Sequence, residues 1–411
     1  MYLEFVLADD GTQIPHVGGK LSFPLVRFLM HQRYTPMRRG GRREKKTLEN
    51  IYSHMKIWLD YCSDLGLGFD GVIYEIHLEA LRSSLRGRGV EAQSINVYYR
   101  TWRSFYEWCD SQDVPHLMQF PAKHEVVRSD YNAGFGTGRS FGAPLTVEVD
   151  PGLDSTALVS DYKEKIVNGA EFRLLSDTLR EIDPVFEKIA YMMATTGLRI
   201  GGVTQLPVGA DRQNPKWLRY PELEVTKRTF QKLVYFPKGG KRKLQCMVLT
   251  EALGVLHHEY INTVRRDRCA LYQERHGKQN EVPLWLNSNG KKVNSYDIWG
   301  AFRLASKKIG RRITPHFLRH TYASYVVYYY FKANGLTPSL AYAHDIHEQL
   351  RIQLGHSDIK TTYMYIRTVI HTKMEAWLPV LTPFMKQEVD THLPRQVLEA
   401  VTRFFEPYAD R

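Results

Sequence analysis

Four short segments in the second half of the chain carry side chains that could bind and transfer a phosphate group. They are an arginine after a Gly-Leu break in 194–203, four cations around two glycines in 237–243, a His-x-x-Arg-His sequence in 314–323, and a Gly-His turn followed by two tyrosines in 354–366. Fixed guanidinium groups stabilise negative charge on phosphorus, and a tyrosine oxygen can attack it as a nucleophile. Taken singly, each segment has an ordinary structural explanation, so only their combination is informative.

Two of these segments also suggest a different chemistry, which neighbouring residues argue against. His316 and His320 have the i, i+4 spacing of a zinc-binding helix, but Phe317 stands where the general-base glutamate of that motif belongs. The turn at 237–243 is not a Walker loop, because Arg242 stands where a serine or threonine must follow the lysine. We therefore expect neither a metal ion nor a cofactor.

Amphipathic helices predicted from the spacing of apolar residues would position these segments. In the first half we expect helices at 47–66, 76–87 and 92–109, and we interpret the aromatic stripe of the last one as core rather than as a base-stacking surface. In the second half we expect helices at 170–182, 251–276, 295–309, 315–332, 345–354, 358–376 and 394–405, and one that begins at Asp183-Pro184 and runs to Thr196. Alternation predicts a strand at 223–229 and a hairpin formed by 231–237 and 244–250.

The composition favours a basic globular protein that binds a polyanion. The chain has 411 residues, with 56 Lys plus Arg against 44 Asp plus Glu, which give a net charge of +12. A positive surface attracts nucleic acid, and about 150 residues per domain indicates two or three domains. The four cysteines are too few and too widely spaced for a disulfide framework, no export signal is recognisable, and no apolar stretch is long enough to span a membrane. We expect a cytoplasmic protein that associates with nucleic acid.

Two clusters of cations are the candidate nucleic-acid-binding residues. Contact with phosphate releases condensed counterions, so basic clusters in a chain of this charge favour a nucleic-acid surface, with a solvated charged run as the ordinary alternative. The candidates are Arg38, Arg39, Arg42, Arg43, Lys45, Lys46, Lys241, Arg242 and Lys243.

Together and in this order, the four segments resemble the signature of the tyrosine recombinase (phage integrase) family. That signature is Ala-Thr-Gly-Leu-Arg, a lysine on a β-hairpin, His-x-x-Arg-His, Leu-Gly-His-Ser, and a tyrosine nine residues after the last histidine. The resemblance is specific over residues 183–370, and it assigns the catalytic positions to Arg199, Lys238, His316, Arg319, His356 and Tyr365. Tyr363 remains an alternative nucleophile.

The resemblance implies that Tyr365 attacks a phosphodiester to form a 3′-phosphotyrosine, while Arg199 and Arg319 stabilise the pentacoordinate phosphorane. The charge on phosphorus supports these roles, since two fixed guanidinium groups suit its extra negative charge. A phenol has an ordinary pKa of about 10 and must lose its proton as it attacks. His316 is the expected acceptor of that proton.

Two further residues would complete the exchange of strands. His356 is expected to donate a hydrogen bond to a non-bridging phosphate oxygen. Lys238, which lies among other cations, is expected to protonate the leaving 5′-hydroxyl. Because the phosphotyrosine conserves the bond energy, neither a metal nor ATP is needed, and a second 5′-hydroxyl reverses the step.

The fold implied by the resemblance is mainly α-helical with a small β-hairpin or sheet element, in two domains that clamp duplex DNA. We expect an N-terminal extension at 1–41, a helical core DNA-binding domain at 42–121, a linker at 122–158, an α+β integrase-type catalytic domain at 159–385 and a C-terminal helix and tail at 386–411. In the family four protomers act on two sites in double-stranded DNA. A homotetramer is therefore the expected assembly, with accessory DNA-bending or recombinase proteins as further partners and helix 394–405 as a candidate to dock on a neighbour.

The implied function is site-specific recombination by the integrase or transposase of a mobile element. A type IB topoisomerase-like enzyme and a non-catalytic DNA-binding protein on an integrase scaffold are the alternatives. Two features depart from the family pattern. Gly202 stands where an acidic residue often follows the first arginine, and the stretch between Arg319 and His356 is longer than usual, with 328–338 as the extra material.

Overall fold

The computed structural model describes residues 3–7, 13–17, 19–36, 43, 45–128, 145–154, 162–237, 243–277, 281–336, 338, 344–356 and 360–372. Within these ranges the chain is mainly helical with three small antiparallel sheets, which confirms the predicted fold class. It forms two compact units, which divide between residues 154 and 162 of the described chain. None of the described helices is long and apolar enough to cross a membrane.

The first unit consists of four helices and two small sheets in its described part. In chain order the elements are β1 (Leu3–Leu7), β2 (Gln13–Val17), β3 (Lys20–Leu21), α1 (Phe23–Tyr34), α2 (Lys45–Asp64), a π-helical turn (Tyr74–Leu78), α3 (Glu79–Gly87), α4 (Ala92–Ser111), β4 (His124–Arg128) and β5 (Leu145–Val149). Strands β1, β2 and β3 form an antiparallel meander, and β4 pairs antiparallel with β5.

Two parts of this unit differ from the sequence expectation. Residues 1–35 have no clear apolar period, yet they form the meander and α1, whose Leu25 and Phe28 are buried in the core. The stretch expected as an unpatterned linker contains the paired strands β4 and β5. The unexpected strands have one cause, because a short strand is stabilised by the strand opposite it, and local sequence does not identify that partner.

The core of the first unit consists largely of aromatic rings on α2 and α4. Tyr99, Trp102 and Tyr106 are fully buried, which confirms the interpretation of the α4 stripe as core. The indole of Trp58 on α2 donates to the Tyr106 hydroxyl (2.9 Å), which in turn donates to the backbone oxygen of Phe69 (2.7 Å). These two buried polar tips therefore have the partners that burial requires.

The last described residues of the first unit are held against α3 and α4 by charged contacts. The Asp154 carboxylate contacts the guanidinium groups of Arg82 and Arg86, and its backbone exchanges two hydrogen bonds with the Asn96 side chain (2.7 and 2.9 Å). The Arg82 side chain is 4% exposed, and its other carboxylate partner is Glu79. A charge buried to this degree depends on its partners for compensation.

We expect Asp154→Ala to lower the free energy of unfolding of the first unit by about 3 kcal/mol, because it removes one partner of a buried guanidinium. Glu49→Ala is the control, since Glu49 pairs with Lys46 at 3.0 Å on the surface, where such a pair contributes about 0.5 kcal/mol. The measurement is the urea dependence of hydrogen exchange at the amides of α3 and α4. Equal losses in the two variants would contradict the expectation.

The second unit consists of ten α-helices and one β-hairpin in its described part. Its helices are α5 (Gly169–Ile182), α6 (Pro184–Thr196), α7 (Ile200–Val203), α8 (Tyr220–Thr226), α9 (Thr250–Leu256), α10 (Val264–His276), α11 (Ser295–Ile309), α12 (Pro315–Ala333), α13 (His344–Leu354) and α14 (Lys360–Thr372). Strands β6 (Phe230–Tyr235) and β7 (Leu244–Leu249) pair antiparallel, with Tyr235 opposite Leu244. The predicted hairpin and the predicted helices at 170–182, 295–309, 315–332 and 345–354 are confirmed with small shifts at their ends.

One predicted strand in this unit is wrong. Alternation predicts a strand at 223–229, but the chain there forms α8. Pro221 occupies its first turn, Glu222 accepts a hydrogen bond from the N–H of Arg219 (2.7 Å), and Leu223 is its buried apolar residue. Helix-capping groups at the right positions outweigh a short alternation of residue types.

Of the other helix predictions, one corresponds to an interrupted helix, one to a helix that ends a residue later, and one lies outside the described residues. The one expected at 251–276 comprises α9, a π-helical turn at His257–Ile261, and α10. Helix α12 continues beyond 332 as far as Ala333 and so includes part of the extra material at 328–338. The helix expected at 394–405 lies outside the described residues.

Helix α6 lies in the core of the second unit. Asp183 caps its first turn as predicted, since the carboxylate accepts from the N–H of Val185 (3.0 Å). Residues on every side of α6 are buried, including Ile189 and Met192, and α5, α12 and β7 pack against it. The helix ends at Gly197, whose φ of +70° suits glycine, and this turn directs the following arginine segment back into the unit.

A separate apolar cluster joins the second half of α12 to α13 and α14. Val327 and Phe331 of α12, Leu350 of α13, and Ile366 and Val369 of α14 are buried in it. Burial of such side chains contributes about 1.5–3 kcal/mol each, so the cluster fixes α14 and the tyrosines that it carries against α12.

Candidate active site

The guanidinium of Arg319 is held inside the second unit by the ends of two other helices. Its side chain has no exposed surface, and its two terminal nitrogens donate to the backbone oxygens of Gly197 (2.8 Å) and Leu354 (2.6 Å). Gly197 caps α6 and Leu354 is the last residue of α13, so both oxygens lie where helical carbonyl groups lack intrahelical donors and the dipole is negative. This geometry fixes the planar group in one orientation.

Arg199 follows the same glycine turn and lies close to Arg319. It is half-buried at the start of α7, and within the described residues its guanidinium has no hydrogen-bond acceptor. Burial, followed by the positive charge of Arg199, lowers the pKa of Arg319 to about 10. Two neighbouring cations repel each other unless an anion lies between them, so the pair is suited to bind one.

Gly202 stands where the family often has an acidic residue, and packing explains why a side chain is excluded here. A Cβ atom at Gly202 would lie 2.8 Å from Cδ2 of Leu198 and 3.2 Å from the ring of Tyr235. The Tyr235 ring is buried and occupies the space that an acidic side chain would need. Arg199 is therefore not oriented by a carboxylate at this position.

The side chain of Tyr365 is buried in the same region. Its hydroxyl lies 3.2 Å from Nδ1 of His320. Its ring stacks on the imidazole of His356, with centroids 6.0 Å apart and planes 9° apart, and its centroid lies 5.2 Å from that of Tyr162. Burial raises the pKa of Tyr365 to about 12, while the positive charge of Arg319 opposes that rise. The phenol is therefore protonated at neutral pH.

Two further histidines lie beside this tyrosine and the arginine pair. The His356 ring is buried, and its Nδ1 lies 3.0 Å from the hydroxyl of Thr362. His316 is open to solvent on one side, and its centroid lies 4.4 Å from that of His320. Loss of surrounding water, followed by the charge of Arg319, lowers the pKa of His316 to about 4 and that of His356 to about 3. Both imidazoles are neutral at physiological pH.

The buried neutral histidines make the stability of the second unit depend on pH. His320 and His356 are 4% and 6% exposed, and burial lowers their pKa values to about 2 and about 3. The unfolded chain takes up these protons below about pH 6.5, whereas the folded protein does so only at much lower pH, so acid favours unfolding. We expect the free energy of unfolding to fall by about 1 kcal/mol per histidine between about pH 7.5 and 5.5, measured by urea unfolding.

Variants of single histidines test the origin of this pH dependence. His356→Asn removes one titrating group, so the loss of stability between the two pH values should become smaller. His258→Gln replaces an exposed ring and should leave the loss unchanged. If both variants lost as much stability as the wild type, the buried imidazoles would not be its source.

The structure brings five of the six predicted catalytic residues into one region of the second unit. They are Arg199, His316, Arg319, His356 and Tyr365. Lys238 lies outside the described residues. The described end of β6 is close by, because a Cβ atom at Gly355 would lie 3.3 Å from the hydroxyl of Tyr235. The hairpin thus reaches the turn that precedes His356.

The alternative nucleophile, Tyr363, has different neighbours. Its half-buried ring packs against His347 of α13, with centroids 4.1 Å apart. Residues two positions apart on a helix project to nearly opposite sides, so Tyr363 and Tyr365 cannot both face Arg319. The geometry favours Tyr365 over Tyr363.

Two residues of the region were not predicted as site residues. His320 is part of the His-x-x-Arg-His pattern, but no local signal indicates that its ring meets Tyr365. Gln353 accepts from the N–H of Met247 (2.9 Å) and donates to the backbone oxygens of Thr196 (3.1 Å) and Met247 (3.0 Å). It therefore ties β7 to the end of α6, and nothing in the sequence pattern identifies this role.

The predicted DNA-binding cations lie only partly within the described residues. Arg43 donates to the backbone oxygen of Gln32 (3.0 Å), whereas Lys45, Lys46 and Lys243 have exposed side chains. The others, Arg38, Arg39, Arg42, Lys241 and Arg242, lie outside the described part of the chain.

The groups that meet in this region are guanidinium, imidazole and phenol groups. In the part of the chain that the structure describes, no group of three or more histidine, cysteine, aspartate or glutamate residues could hold a metal ion. Guanidinium groups with free donors bind anions, and neutral imidazoles can donate or accept a hydrogen bond. The arrangement is therefore suited to bind a phosphate group beside a tyrosine oxygen.

Comparisons with known proteins show which class of protein this chain resembles. No family model matches the chain. It is 24% identical over 308 residues to tyrosine recombinase XerD of Staphylococcus aureus, and the matched region covers 70% of this chain and 92% of that protein. It is 22% identical over 299 residues to XerD of Staphylococcus saprophyticus, with 68% and 88% covered. A solved lambda integrase dimer bound to a COC' core site is 13% identical, with 84% of this chain and 94% of that one covered and a TM-score of 0.47.

Both sequence relatives are proteins that carry the recombinase name, and each match spans most of the relative's length. The chain is similar to tyrosine recombinases over most of their length. This confirms the resemblance drawn from the four sequence segments, while the roles of individual residues remain predictions.

Proposed function

We propose that this protein is a site-specific DNA recombinase that cuts and rejoins DNA through a 3′-phosphotyrosine intermediate. The observation that carries the proposal is that Arg199 and Arg319 lie close enough to Tyr365 for their charges to act on its phenol. Two cations beside a buried nucleophile suit attack on a phosphodiester, which gains negative charge as it reacts. The XerD relatives support the same activity.

In the proposed reaction the Tyr365 oxygen attacks phosphorus, and the bond from phosphorus to the 5′-oxygen breaks. Arg199 and Arg319 bind the non-bridging oxygens and stabilise the phosphorane, where the negative charge is greatest. His356 donates a further hydrogen bond, and Lys238 protonates the leaving 5′-oxygen. A 5′-hydroxyl of another strand then attacks the phosphotyrosine and restores the phenol, which exchanges the strands.

The proposed substrate is double-stranded DNA, in keeping with a net charge of +12. We infer a helical DNA-binding domain at 42–121, a linker at 122–158 and a catalytic domain at 159–385. The assembly is inferred to be four protomers on two DNA sites, with helix 394–405 docking on a neighbour. Its biological setting is inferred to be the integration or transposition of a mobile element, with accessory proteins that bend the DNA.

Covalent capture tests the proposal. The full chain is incubated with sheared DNA from its source in the presence of EDTA, the mixture is denatured, and any DNA that stays attached to protein is sequenced. We expect the wild type to capture particular fragments through a 3′ end and Tyr365→Phe to capture none. Tyr363→Phe, the matched control two residues away, should capture the same fragments as the wild type.

Other outcomes favour the alternatives. Capture lost only in Tyr363→Phe would assign the nucleophile to Tyr363. Salt-sensitive DNA binding without any adduct would favour a DNA-binding protein without catalysis. Adducts accompanied by relaxation of supercoiled DNA, with no recombinant joints between two copies of the captured site, would favour a topoisomerase-like enzyme.

A further inference from the structure

The hydroxyl of Tyr365 faces a histidine that has no assigned role. Nδ1 of His320 lies 3.2 Å from the phenol oxygen, at the distance of a hydrogen bond. The His320 ring is 4% exposed, follows Arg319 directly on α12, and lies with its centroid 4.0 Å from that of Tyr162. It is therefore held in place on the side of the tyrosine that the chain itself covers.

A phenol that attacks phosphorus must pass its proton to a group with a free lone pair. Arg199 and Arg319 carry only N–H donors and cannot accept it. Nδ1 of His320 lies within hydrogen-bonding distance of the Tyr365 hydroxyl and accepts from it in the tautomer that carries its hydrogen on Nε2. His316, the acceptor expected from the sequence, instead packs its ring edge-on against that of His320, with centroids 4.4 Å apart.

We propose that His320 orients the phenol of Tyr365 and accepts its proton during the attack on DNA, a role that rests on the proposed recombinase function. The proton moves from the Tyr365 oxygen to Nδ1 as the oxygen–phosphorus bond forms and the bond to the 5′-oxygen breaks. The leaving 5′-oxygen takes its own proton from a separate acid, Lys238 in the proposed function. In the reverse step the imidazolium returns the proton to Tyr365, so atoms and charge balance over a cycle.

The surroundings keep the His320 ring unprotonated, so that its lone pair is available. The charged and titratable groups that face it are Tyr162, Lys165, His316, Arg319, His356 and Tyr365, and none of these is a carboxylate. Burial and these neighbours lower the pKa of His320 to about 2, so the free protein holds the ring neutral. A bound phosphodiester adds negative charge beside the ring, which favours the imidazolium when the proton must move.

This division of roles leaves His316 free for the substrate. His316 lies on the same helix, four residues before His320, and is open to solvent where His320 is covered. A ring on the open side can reach a phosphate oxygen, whereas a ring on the covered side can reach only the nucleophile. The two histidines therefore act on different atoms of one reaction.

The rate of covalent attachment to two matched substrates tests the proposal. Both carry the captured recombination site, and one has sulfur in place of the 5′-bridging oxygen at the cleaved bond. A thiolate leaves without a proton, so loss of the acid no longer matters on that substrate, whereas loss of the group that activates the nucleophile still does. The variants are His320→Ala, His320→Asn, His320→Gln, His316→Ala, Lys238→Ala and Tyr365→Phe.

We expect His320→Ala to lower the rate about 100-fold on both substrates, and Lys238→Ala to lower it on the oxygen substrate only. An asparagine at position 320 places its amide oxygen close to where Nδ1 of the histidine lies. A glutamine has one more methylene group and places its amide oxygen farther from the backbone than Nδ1. His320→Asn should therefore retain the orientation of the phenol and react about 10-fold faster than His320→Gln. The comparison of His320→Asn with His320→Gln tests the proposal even if His320→Ala fails to fold.

Two results would overturn the proposal. One is a rate within about threefold of wild type in both His320→Gln and His320→Ala. The other is a pair of results on the sulfur substrate. His316→Ala would still attach to it slowly, while the His320 variants would attach to it at the wild-type rate. Failure of the recombinase function itself would be distinct, because wild type would then form no adduct or Tyr365→Phe would still form one.

Discussion

Arg319→Ala is expected to lower the rate of covalent attachment to DNA by at least about 1,000-fold. The guanidinium supplies positive charge where the phosphorane forms, and nothing at this position would replace it. The substitution also leaves the backbone oxygens of Gly197 and Leu354 without their donors in a buried place. We therefore expect the free energy of unfolding of the second unit to fall by about 2–4 kcal/mol.

A lysine at the same position separates charge from geometry. Arg319→Lys keeps one positive charge, but an ammonium group cannot act as the planar fork that bridges both oxygens. We expect its rate to lie about 100-fold below wild type and its stability between those of wild type and Arg319→Ala. Adduct formation at saturating DNA and urea unfolding give the two quantities. A wild-type rate in a folded Arg319→Ala protein would refute the role of Arg319.

Gly197→Ala is expected to disturb both arginines through one backbone position. The φ of +70° at Gly197 costs a residue with a Cβ atom about 1–2 kcal/mol. The added carbon would also lie 2.8 Å from Cδ2 of Leu354 and would contact the ring of Tyr322, so α12 and α13 must shift. We expect the free energy of unfolding to fall by about 3 kcal/mol and the rate of attachment by about 100-fold.

Gly201→Ala is the matched control for this substitution. Gly201 lies in α7, four residues further along the chain, and a Cβ atom there would meet nothing within 4 Å beyond its chain neighbours and the backbone of its own helix. Because alanine is a better helix former than glycine, we expect the free energy of unfolding to stay the same or rise by about 0.5 kcal/mol. Urea unfolding measures the free energy of unfolding of both variants. Equal losses would show that the left-handed turn at Gly197 does not cause the expected destabilisation.

Apolar periodicity predicted most of the helices, since a buried helix face has a regular spacing that can be recognised without knowing its partner. The cap at Asp183 and the hairpin of β6 and β7 were predicted for the same reason, because their signals are local. The error at α8 and the two unexpected sheets have another origin. A stretch of six or seven residues can alternate by chance, and a strand is stable only with its partner.

The sequence by itself determined the resemblance to tyrosine recombinases and the residue types that meet in the candidate site, because those depend on identity and spacing along the chain. Only the tertiary structure decided that Arg319 lies between the ends of α6 and α13, and that the Tyr365 hydroxyl faces His320 rather than His316. These hydrogen bonds join residues 122, 35 and 45 positions apart. They exist because packing of α12 against α6, α13 and α14 buries the groups and leaves each few partners, a condition that no local pattern specifies.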